Sequence, residues 1–251
     1  MEKKKILSIG IPTYNEKENI YNIVLEIAKS VENQNIITII NIIDDNSPDG
    51  TADLIERSIP ILKDNFSNLH INVIRREGKL GLASAHIRGF KEAFSQNADY
   101  IMEMDADLSH QPKYIPIFLD AIKDNDVIIG SRYIRGGGTL NWNIVRKTLS
   151  LGAGIYARTI LGMRVQDMSA GYVMYRSEVL KKINIDKIKS NGYSFQIELK
   201  YRCFKFGFKI KEIPIIFPDR TKGVSKMNKI DTIIKTAFMV LKLKFDKSIT
   251  N

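Results

Sequence analysis

The chain has 251 residues, of which 44% are hydrophobic, and a formal net charge of +10. This composition excludes a wholly disordered chain and supports a sizeable buried core. The single cysteine, Cys203, excludes a framework of internal disulfide bonds and fits a reducing compartment. No apolar run reaches the roughly 18 to 20 residues that span a bilayer, so we predict no transmembrane helix.

The positive charge is concentrated towards the C-terminus. Residues 200–247 include 13 basic and 4 acidic side chains, a net charge of +9. Residues 127–166 contain no acidic side chain at all. This asymmetry indicates an anionic partner on the C-terminal side, and phosphates, an anionic membrane and nucleic acid all remain candidates.

Predicted strands and helices alternate over the first 130 residues. The predicted strands are 6–11, 36–43, 71–74, 100–104 and 127–129, and the predicted helices are 16–31, 51–62, 82–96 and 112–123. We expect the first strand to end at Pro12, because proline cannot donate to a sheet ladder. The alternation predicts an α/β fold with a doubly wound, mostly parallel sheet and helices on both faces.

The pattern is less regular after residue 130. We predict helices at 142–161, 195–206 and 230–245, and strands at 173–175 and 209–216. The last helix places apolar residues on one face with lysines around it: Ile230, Ile233, Ile234, Ala237, Phe238 and Leu241. The first and last of these helices are candidates for a membrane-facing surface, and packing on the core is the alternative for the last one.

The acidic pair Asp105 and Asp107 directly follows a predicted strand. Ligands of open parallel sheets bind beyond the carboxyl ends of the strands. Two carboxylates this close repel each other unless a cation lies between them, and Mg²⁺ is typically held by one or two carboxylates together with substrate phosphates. The pair therefore predicts a divalent metal and a nucleotide diphosphate, with a solvated acidic turn as the alternative.

Two further motifs, 12–16 and 44–49, also follow predicted strands. Tyr14 could stack on a base, and Glu16 could contact the sugar or the base. A carboxylate of the second motif could accept hydrogen bonds from a nucleobase or a ribose hydroxyl. Both motifs are also typical of a turn that leads into a helix, and the two interpretations are compatible.

Basic residues in the second half form candidate phosphate contacts. Residues 219–226 place Arg220, Lys222 and Lys226 around a glycine, a pattern that suits a phosphate clamp. Arg132 and Arg146 could each take a phosphate through two hydrogen bonds. A solvated basic loop or helix position is the alternative in each case.

Seven stretches occur together and in order: IGIPTYNEKENI, IIDDNSPDGTAD, REGKLGLASAHIRGF, MDADLSHQP, IIGSRYIRGGG, SAGYVMYR and FPDRTKGVSK. Through them nearly the whole chain resembles the family 2 glycosyltransferases with the GT-A fold, and among these the dolichyl-phosphate (polyprenyl-phosphate) mannose synthase family. The resemblance implies a single GT-A domain over 1–251, with a nucleotide-sugar half (1–130) and an acceptor and membrane-facing half (131–251).

The resemblance also implies roles for individual residues. The implied donor-binding residues are Pro12, Tyr14, Glu16, Ile43, Asp45, Asp105, Ala106, Asp107, Arg132, Arg220 and Lys226, of which Asp107, Arg132, Arg220 and Lys226 are the implied catalytic residues. Asp105 and Asp107 would bind Mg²⁺ or Mn²⁺. Ser109, which stands where some relatives have Gln, is a further candidate ligand. Arg146 would meet the acceptor phosphate.

The predicted reaction transfers mannose from GDP-mannose to a polyprenyl phosphate with inversion. UDP-glucose is the alternative donor. Rival classes are a sugar nucleotidyltransferase, a hydroxyl-acceptor glycosyltransferase and a non-enzymatic nucleic-acid binder, although the acidic pair argues against a nucleic-acid partner. We expect a peripheral protein at the cytoplasmic face of a membrane (the endoplasmic reticulum in a eukaryote, the plasma membrane in a prokaryote). Small membrane-anchoring partner subunits would fit this location.

Overall fold

A computed structural model describes residues 3–219, 230–246 and 249. The strands are β1 (Lys5–Thr13), β2 (Ile36–Asp44), β3 (Leu69–Arg75), β4 (Tyr100–Glu103), β5 (Val127–Ser131), β6 (Gly138–Leu140), β7 (Val173–Arg176), β8 (Ile210–Pro214) and β9 (Ile216–Pro218). The helices are α1 (Lys17–Val31), α2 (Thr51–Asn65), α3 (Leu82–Ser95), α4 (Ile115–Ala121), α5 (Ile144–Leu161), α6 (Ser177–Lys182), α7 (Tyr193–Lys205) and α8 (Ile230–Phe245). Short 3₁₀ turns occupy Pro112–Tyr114 and Ile185–Lys187.

The main sheet has the order β3-β2-β1-β4-β7-β5-β8. Its neighbours are parallel except for β7, which is antiparallel to both β4 and β5. Strands β6 and β9 form a separate two-stranded sheet. The predicted mostly parallel, doubly wound sheet is confirmed, and the reversed direction of β7 is the feature that the sequence pattern did not indicate.

The alternation of side chains along the strands builds two cores, one on each face of the sheet. In β4, for example, Met102 packs into one core and Ile101 into the other. The first core receives helices α1, α2 and α4, and the second receives α3, α5, α6, α7 and α8. The expectation of helices on both faces is therefore confirmed.

The prediction that β1 ends at Pro12 is wrong, because the strand continues to Thr13. The Met104 N–H donates to the Gly10 carbonyl. The backbone groups of every second residue counted from Gly10, which include those of Pro12, therefore point towards the β4 side of β1. Strand β4 has ended at Glu103 before it reaches the level of Pro12. The N–H that Pro12 lacks would therefore have faced no strand, and proline does not interrupt the ladder here.

The predicted strand 209–216 is in fact two strands, β8 and β9. The Ile215 N–H makes the last bond to β5, at the Ser131 carbonyl, where β5 ends. The Ile215 carbonyl already accepts from Gly138 of β6. The chain therefore changes its pairing partner at Ile215. The predicted helix 112–123 is also shorter, since it opens as the 3₁₀ turn and α4 ends at Ala121.

Candidate active site

The first two motifs lie side by side at the carboxyl edge of the sheet. Pro12 and Ile43 are partners in the register of β1 and β2. The backbone N–H of Asp45 donates to the Thr13 carbonyl at 3.0 Å, one residue beyond the end of β2. The parallel pairing thus brings these predicted nucleotide-binding residues, which are about thirty positions apart in the sequence, into one surface.

Part of the second motif has a structural role. The Asp44 carboxylate accepts hydrogen bonds from the hydroxyls of Thr13 and Ser47 and from the Ser47 N–H. The Asp49 carboxylate accepts from the Lys17 N–H and from the backbone and hydroxyl of Thr51. The turn interpretation is therefore confirmed for these two carboxylates: Asp44 joins the end of β1 to the turn, and Asp49 joins the starts of α1 and α2.

Asp45 has a different environment. Its carboxylate pairs with Arg76 at 2.9 Å, and both side chains are nearly buried. Arg76 also donates to the Ser84 hydroxyl at the start of α3. A carboxylate held in this way at the edge of the sheet can accept hydrogen bonds from a nucleoside, and Arg76 is a residue of the site that the sequence analysis missed.

Tyr14 and Glu16 border the same surface. The Tyr14 ring is exposed, and the Lys79 Nζ lies 3.9 Å from its centroid, within cation–π distance. The Glu16 carboxylate accepts from the Asn19 side-chain amide, while its backbone N–H donates to the Thr51 hydroxyl. Lys79 belongs to the stretch REGKLGLASAHIRGF that carried the resemblance, but no role had been assigned to it.

The acidic pair lies in a tightly held turn beyond β4. The Asp107 Oδ1 accepts from the N–H and the hydroxyl of Ser109, at 3.1 Å and 2.5 Å. The Asp105 N–H donates to the His110 Nδ1 at 2.9 Å, so that nitrogen carries no proton. The His110 ring stacks on Tyr172 with a centroid distance of 4.8 Å. The structure thus brings Asp105, Asp107 and Ser109 together, as the sequence predicted.

The chemistry of this turn fits a divalent cation. The Asp105 side chain is 29% exposed, whereas Ala106 and Asp107 are nearly buried. Within the described part of the chain, His, Cys, Asp and Glu side chains form no cluster of three or more that could hold a metal. Two carboxylates on a rigid turn match the way Mg²⁺ is held when substrate phosphates supply other ligands.

Arg132, directly after β5, is held by Asp167. The fully buried Asp167 carboxylate accepts from the Arg132 backbone N–H and, at 2.7 Å each, from its Nε and Nη2. Burial by itself raises the pKa of the Asp167 carboxyl, but the charge and hydrogen bonds of Arg132 bring it below its usual value. The Arg132 Nη2 also donates to the Ser169 hydroxyl. The guanidinium therefore has one fixed orientation.

A second guanidinium, that of Arg146, lies close by. It donates to Asp219 at 2.6 Å, and its Cζ lies 3.8 Å from the centroid of the Trp142 ring. The Cζ of Arg132 lies 5.3 Å from the same indole. The ring of Phe217 contacts both Trp142 and His110 edge to face. The guanidiniums of Arg132 and Arg146, called the arginine pair below, are thus joined to the acidic turn through one aromatic cluster.

A buried polar network lies directly behind the acidic turn. The Glu103 carboxylate accepts from the Tyr175 hydroxyl at 2.7 Å and from the Gln196 amide at 2.8 Å. Burial raises the pKa of Glu103 to about 7 and lowers that of His86 to about 4. The Lys200 ammonium donates to the Ala170 carbonyl, and burial lowers its pKa to about 8. This network ties α7 to the strand that leads into Asp105.

Not every predicted site residue can be placed. Arg220 and Lys226, together with Lys222 and Gly223, lie outside the described residues. The sequence analysis in turn missed Asp167, Trp142 and Phe217. A signal for Asp167 was present, because it is the first acidic residue after a stretch, 127–166, that has none.

Comparison with known proteins identifies the family of the chain. Residues 8–184 match the model of the glycosyl transferase family 2. The undecaprenyl-phosphate mannosyltransferase of Micrococcus luteus is 37% identical over 224 residues, 89% of this chain and 88% of the relative. The polyprenol monophosphomannose synthase of Mycolicibacterium smegmatis is 40% identical over 219 residues, 87% of this chain and 79% of the relative.

A solved structure supports the fold. Glucosyl-3-phosphoglycerate synthase from Mycobacterium tuberculosis, in complex with Mn²⁺, UDP and its product, superposes with a TM-score of 0.61 at 16% identity. The match covers 96% of this chain and 78% of that one. The predicted GT-A fold and the predicted resemblance are both confirmed. An acidic turn beyond a parallel strand, arginines facing it across an aromatic cluster and a family match over most of the chain lead to one conclusion: the chain belongs to glycosyl transferase family 2.

Proposed function

We propose that the protein transfers mannose from GDP-mannose to a polyprenyl phosphate with inversion at the anomeric carbon. The observation that carries the proposal is the connection of the acidic turn at Asp105–Ser109 to the arginine pair through Phe217. This arrangement supports a donor diphosphate at the acidic turn and an anionic acceptor beside it. The names of the two relatives, both above 35% identity, support a polyprenyl phosphate acceptor and mannose as the sugar.

On the donor side, the edge formed by β1 and β2 would hold the nucleoside. Tyr14 offers an exposed ring for stacking, and Asp45 and Glu16 offer carboxylate oxygens to the base or the ribose. The half-buried Pro12 would form the apolar part of this surface, with the fully buried Ile43 supporting it from below. This assignment puts the nucleoside in the predicted nucleotide-sugar half, residues 1–130.

Asp105 and Asp107 would hold Mg²⁺ or Mn²⁺. Ser109 would orient the Asp107 carboxylate through its hydrogen bonds and would not itself be a metal ligand. A bound divalent cation would neutralise charge on the diphosphate as it leaves. The Mn²⁺ complex of the structural neighbour supports a metal in this fold. Arg132, whose orientation Asp167 fixes, would add a second positive group on the same side, as would Arg220 and Lys226.

On the acceptor side, Arg146 would bind the lipid phosphate. A phosphate monoester has a second pKa of about 6 and is largely dianionic at neutral pH. One of its oxygens can attack the anomeric carbon while the bond to the nucleoside diphosphate breaks, and no proton has to be removed. The reaction therefore needs no general base. The neutral, stacked His110 is consistent with that, since its Nδ1 is occupied by the Asp105 N–H.

The membrane would lie against α5 and α8. Ile144 is 79% exposed at the start of α5, and Phe238 and Phe245 are 72% and 79% exposed on α8. Lys235, Lys242 and Lys244 are exposed on α8 as well. Exposed apolar side chains flanked by lysines are typical of helices that lie in an anionic membrane interface. Among the residues that the structure describes, no helix is long and apolar enough to cross a membrane.

The test is a transfer assay with the purified protein. Mg²⁺ or Mn²⁺, a polyprenyl phosphate and one radiolabelled nucleotide-sugar at a time are incubated together, and label is counted in the organic phase. We expect label from GDP-mannose and none when polyprenol replaces the phosphate. Label from UDP-glucose instead would reassign the donor, and no label from any donor would refute the proposal.

Asp107→Asn is the matched variant for the metal. Removing one of two carboxylates should lower the transfer rate by at least about a hundredfold, because the charge that builds on the leaving diphosphate is no longer balanced. Asp124→Asn, an exposed position in the turn before β5, is the control and should retain full activity. Equal rates for the two variants would contradict the metal assignment.

A further inference from the structure

Trp142 is the only tryptophan in the sequence and lies between β6 and α5. Its indole Nε1 is buried and has no hydrogen-bond partner in the described part of the molecule. The same is true of the Nε of Arg146, whose guanidinium lies 3.8 Å from the indole centroid. Buried donors are nearly always paired, so two unpaired donors on groups in contact point to a missing acceptor.

The surroundings of Trp142 define what that acceptor could be. The guanidiniums of Arg132 and Arg146 both lie within cation–π distance of the ring, and Asp167 and Asp219 hold their other sides. Two cations, each paired with a carboxylate, therefore surround the ring. The two unpaired atoms, the Trp142 Nε1 and the Arg146 Nε, can only donate hydrogen bonds. An anionic oxygen can accept a hydrogen bond from either donor and is attracted by the two guanidiniums. A cationic ligand, or one that offers only neutral hydroxyls, gains nothing from their positive charge.

The position of the ring is fixed independently of its N–H. Trp142 packs edge to face on Phe217, with 5.7 Å between the ring centroids, and Phe217 in turn contacts His110 beside the acidic turn. Both guanidiniums therefore contact a ring whose position does not depend on its N–H. The ring is neutral and adds no third charge beside the two cations.

We propose that Trp142 is a binding residue for the acceptor phosphate, to which its indole N–H donates while its ring packs on Arg132 and Arg146. The inference rests on the proposed function, in which Arg146 meets that phosphate. It adds a neutral donor to the acceptor site and assigns a role to a residue that the sequence analysis placed only in the membrane-facing helix.

Two substitutions separate the N–H from the ring. Trp142→Phe keeps an aromatic face and removes the donor, so the KM for farnesyl phosphate should rise about tenfold or more, with the KM for the nucleotide-sugar and the melting temperature unchanged. Trp142→Leu also removes the aromatic ring that packs on both guanidiniums, and it should lower kcat as well. Phe204→Leu, an exposed aromatic position at the end of α7, is the control and should change neither constant.

A binding measurement with the unaltered protein supplies a readout that does not depend on turnover. The fluorescence of the single tryptophan should change saturably with farnesyl phosphate and should not change with farnesol. Saturable binding without any transfer would refute the proposed function and leave the inference standing. Transfer with an unchanged acceptor KM in Trp142→Phe, or an equal loss for both substrates together with a lower melting temperature, would overturn the inference and leave the function standing.

Discussion

At the scale of single residues, the buried pair of Arg132 and Asp167 fixes one cation of the site. Its hydrogen bonds use the Nε and Nη2 of the guanidinium and the backbone N–H of the same residue. A buried charge without its partner is far costlier than the pair is favourable, because neither water nor another ion replaces the lost contact. The pair therefore fixes the Arg132 guanidinium in one orientation.

Asp167→Asn should lower the free energy of unfolding by roughly 3 kcal/mol, because Arg132 keeps its charge and loses the carboxylate. Urea denaturation measures the change. The matched control is Asp186→Asn, which breaks an exposed pair with Lys91 and should cost less than about 1 kcal/mol. Similar losses of unfolding free energy in the two variants would show that Asp167 does not compensate the charge of Arg132.

Lys200 predicts a pH dependence of stability. Burial lowers its pKa from 10.5 in the unfolded chain to about 8 in the folded one. Above pH 8 the unfolded state therefore binds more protons on this group, and the free energy of unfolding should rise with pH, by up to about 1.4 kcal/mol per pH unit. Below pH 8 both states are protonated and this contribution to the slope disappears.

The measurement is urea denaturation between pH 8 and pH 9. Towards the upper end of that range the buried Cys203 thiol, whose pKa is raised from 9.0 to about 12, begins to contribute with the opposite sign and makes the rise smaller. Lys200→Met should abolish the rise, whereas Lys205→Met, at an exposed position of the same helix, should preserve it. An unchanged slope in Lys200→Met would exclude a depressed pKa at this position.

At the scale of elements, α5 and α8 differ from the other helices in the side chains that they expose. They pack on each other, with the Tyr156 hydroxyl donating to the Ala237 carbonyl, and together with Met168, Ser169 and Ile197 they line a partly open, largely apolar cavity of about 330 Å³. On α8, Val240 and Leu243 are buried in the second core, while Phe238 and Phe245 point away from it. Of the predicted apolar face, Ile234, Phe238 and Leu241 are exposed to solvent.

Replacing Phe238 and Phe245 together by serine should weaken binding to anionic vesicles by about tenfold or more, because two large apolar side chains no longer enter the interface. Co-sedimentation with vesicles of phosphatidylcholine and phosphatidylglycerol measures this. Phe204→Ser, on α7, should bind as the unaltered protein does. If all three proteins sedimented equally, α8 would not be the membrane-facing element.

At the scale of the whole molecule, the uneven distribution of charge acts over the longest distance. The net charge of +10 arises mainly after residue 200, in the part of the chain that contains α8. Exposed charges act on an anionic surface over a distance that salt shortens to about 10 Å at 0.1 M. The basic part of the surface should therefore guide the protein to anionic membranes, with the exposed apolar side chains making the contact.

Vesicle binding should accordingly weaken several-fold when the salt concentration rises from about 0.05 M to about 0.5 M, and it should be weak at both concentrations on vesicles of neutral lipid. Flotation assays measure both effects. Binding that is equally strong on neutral vesicles and insensitive to salt would assign the membrane contact to the apolar side chains alone.

Much of the architecture follows from local pattern. The buried β-branched run of β2, the 3.6-residue periodicity of α1 and the turn residues at Asp44–Asp49 each identify an element without reference to any other part of the chain. The acidic pair could be placed in a site because parallel strands end at one edge of their sheet. These features depend on residues close together in the sequence.

Only the tertiary structure decided how distant segments meet. The insertion of β7 between β4 and β5, the capture of Arg132 by Asp167 and the contact of Trp142 with two guanidiniums join residues that no periodicity connects. Their geometry depends on which side chains fill the space between packed elements, and that is a property of the whole core. The sequence by itself therefore determined the order of the elements and the acidic turn, whereas packing decided which cations face that turn.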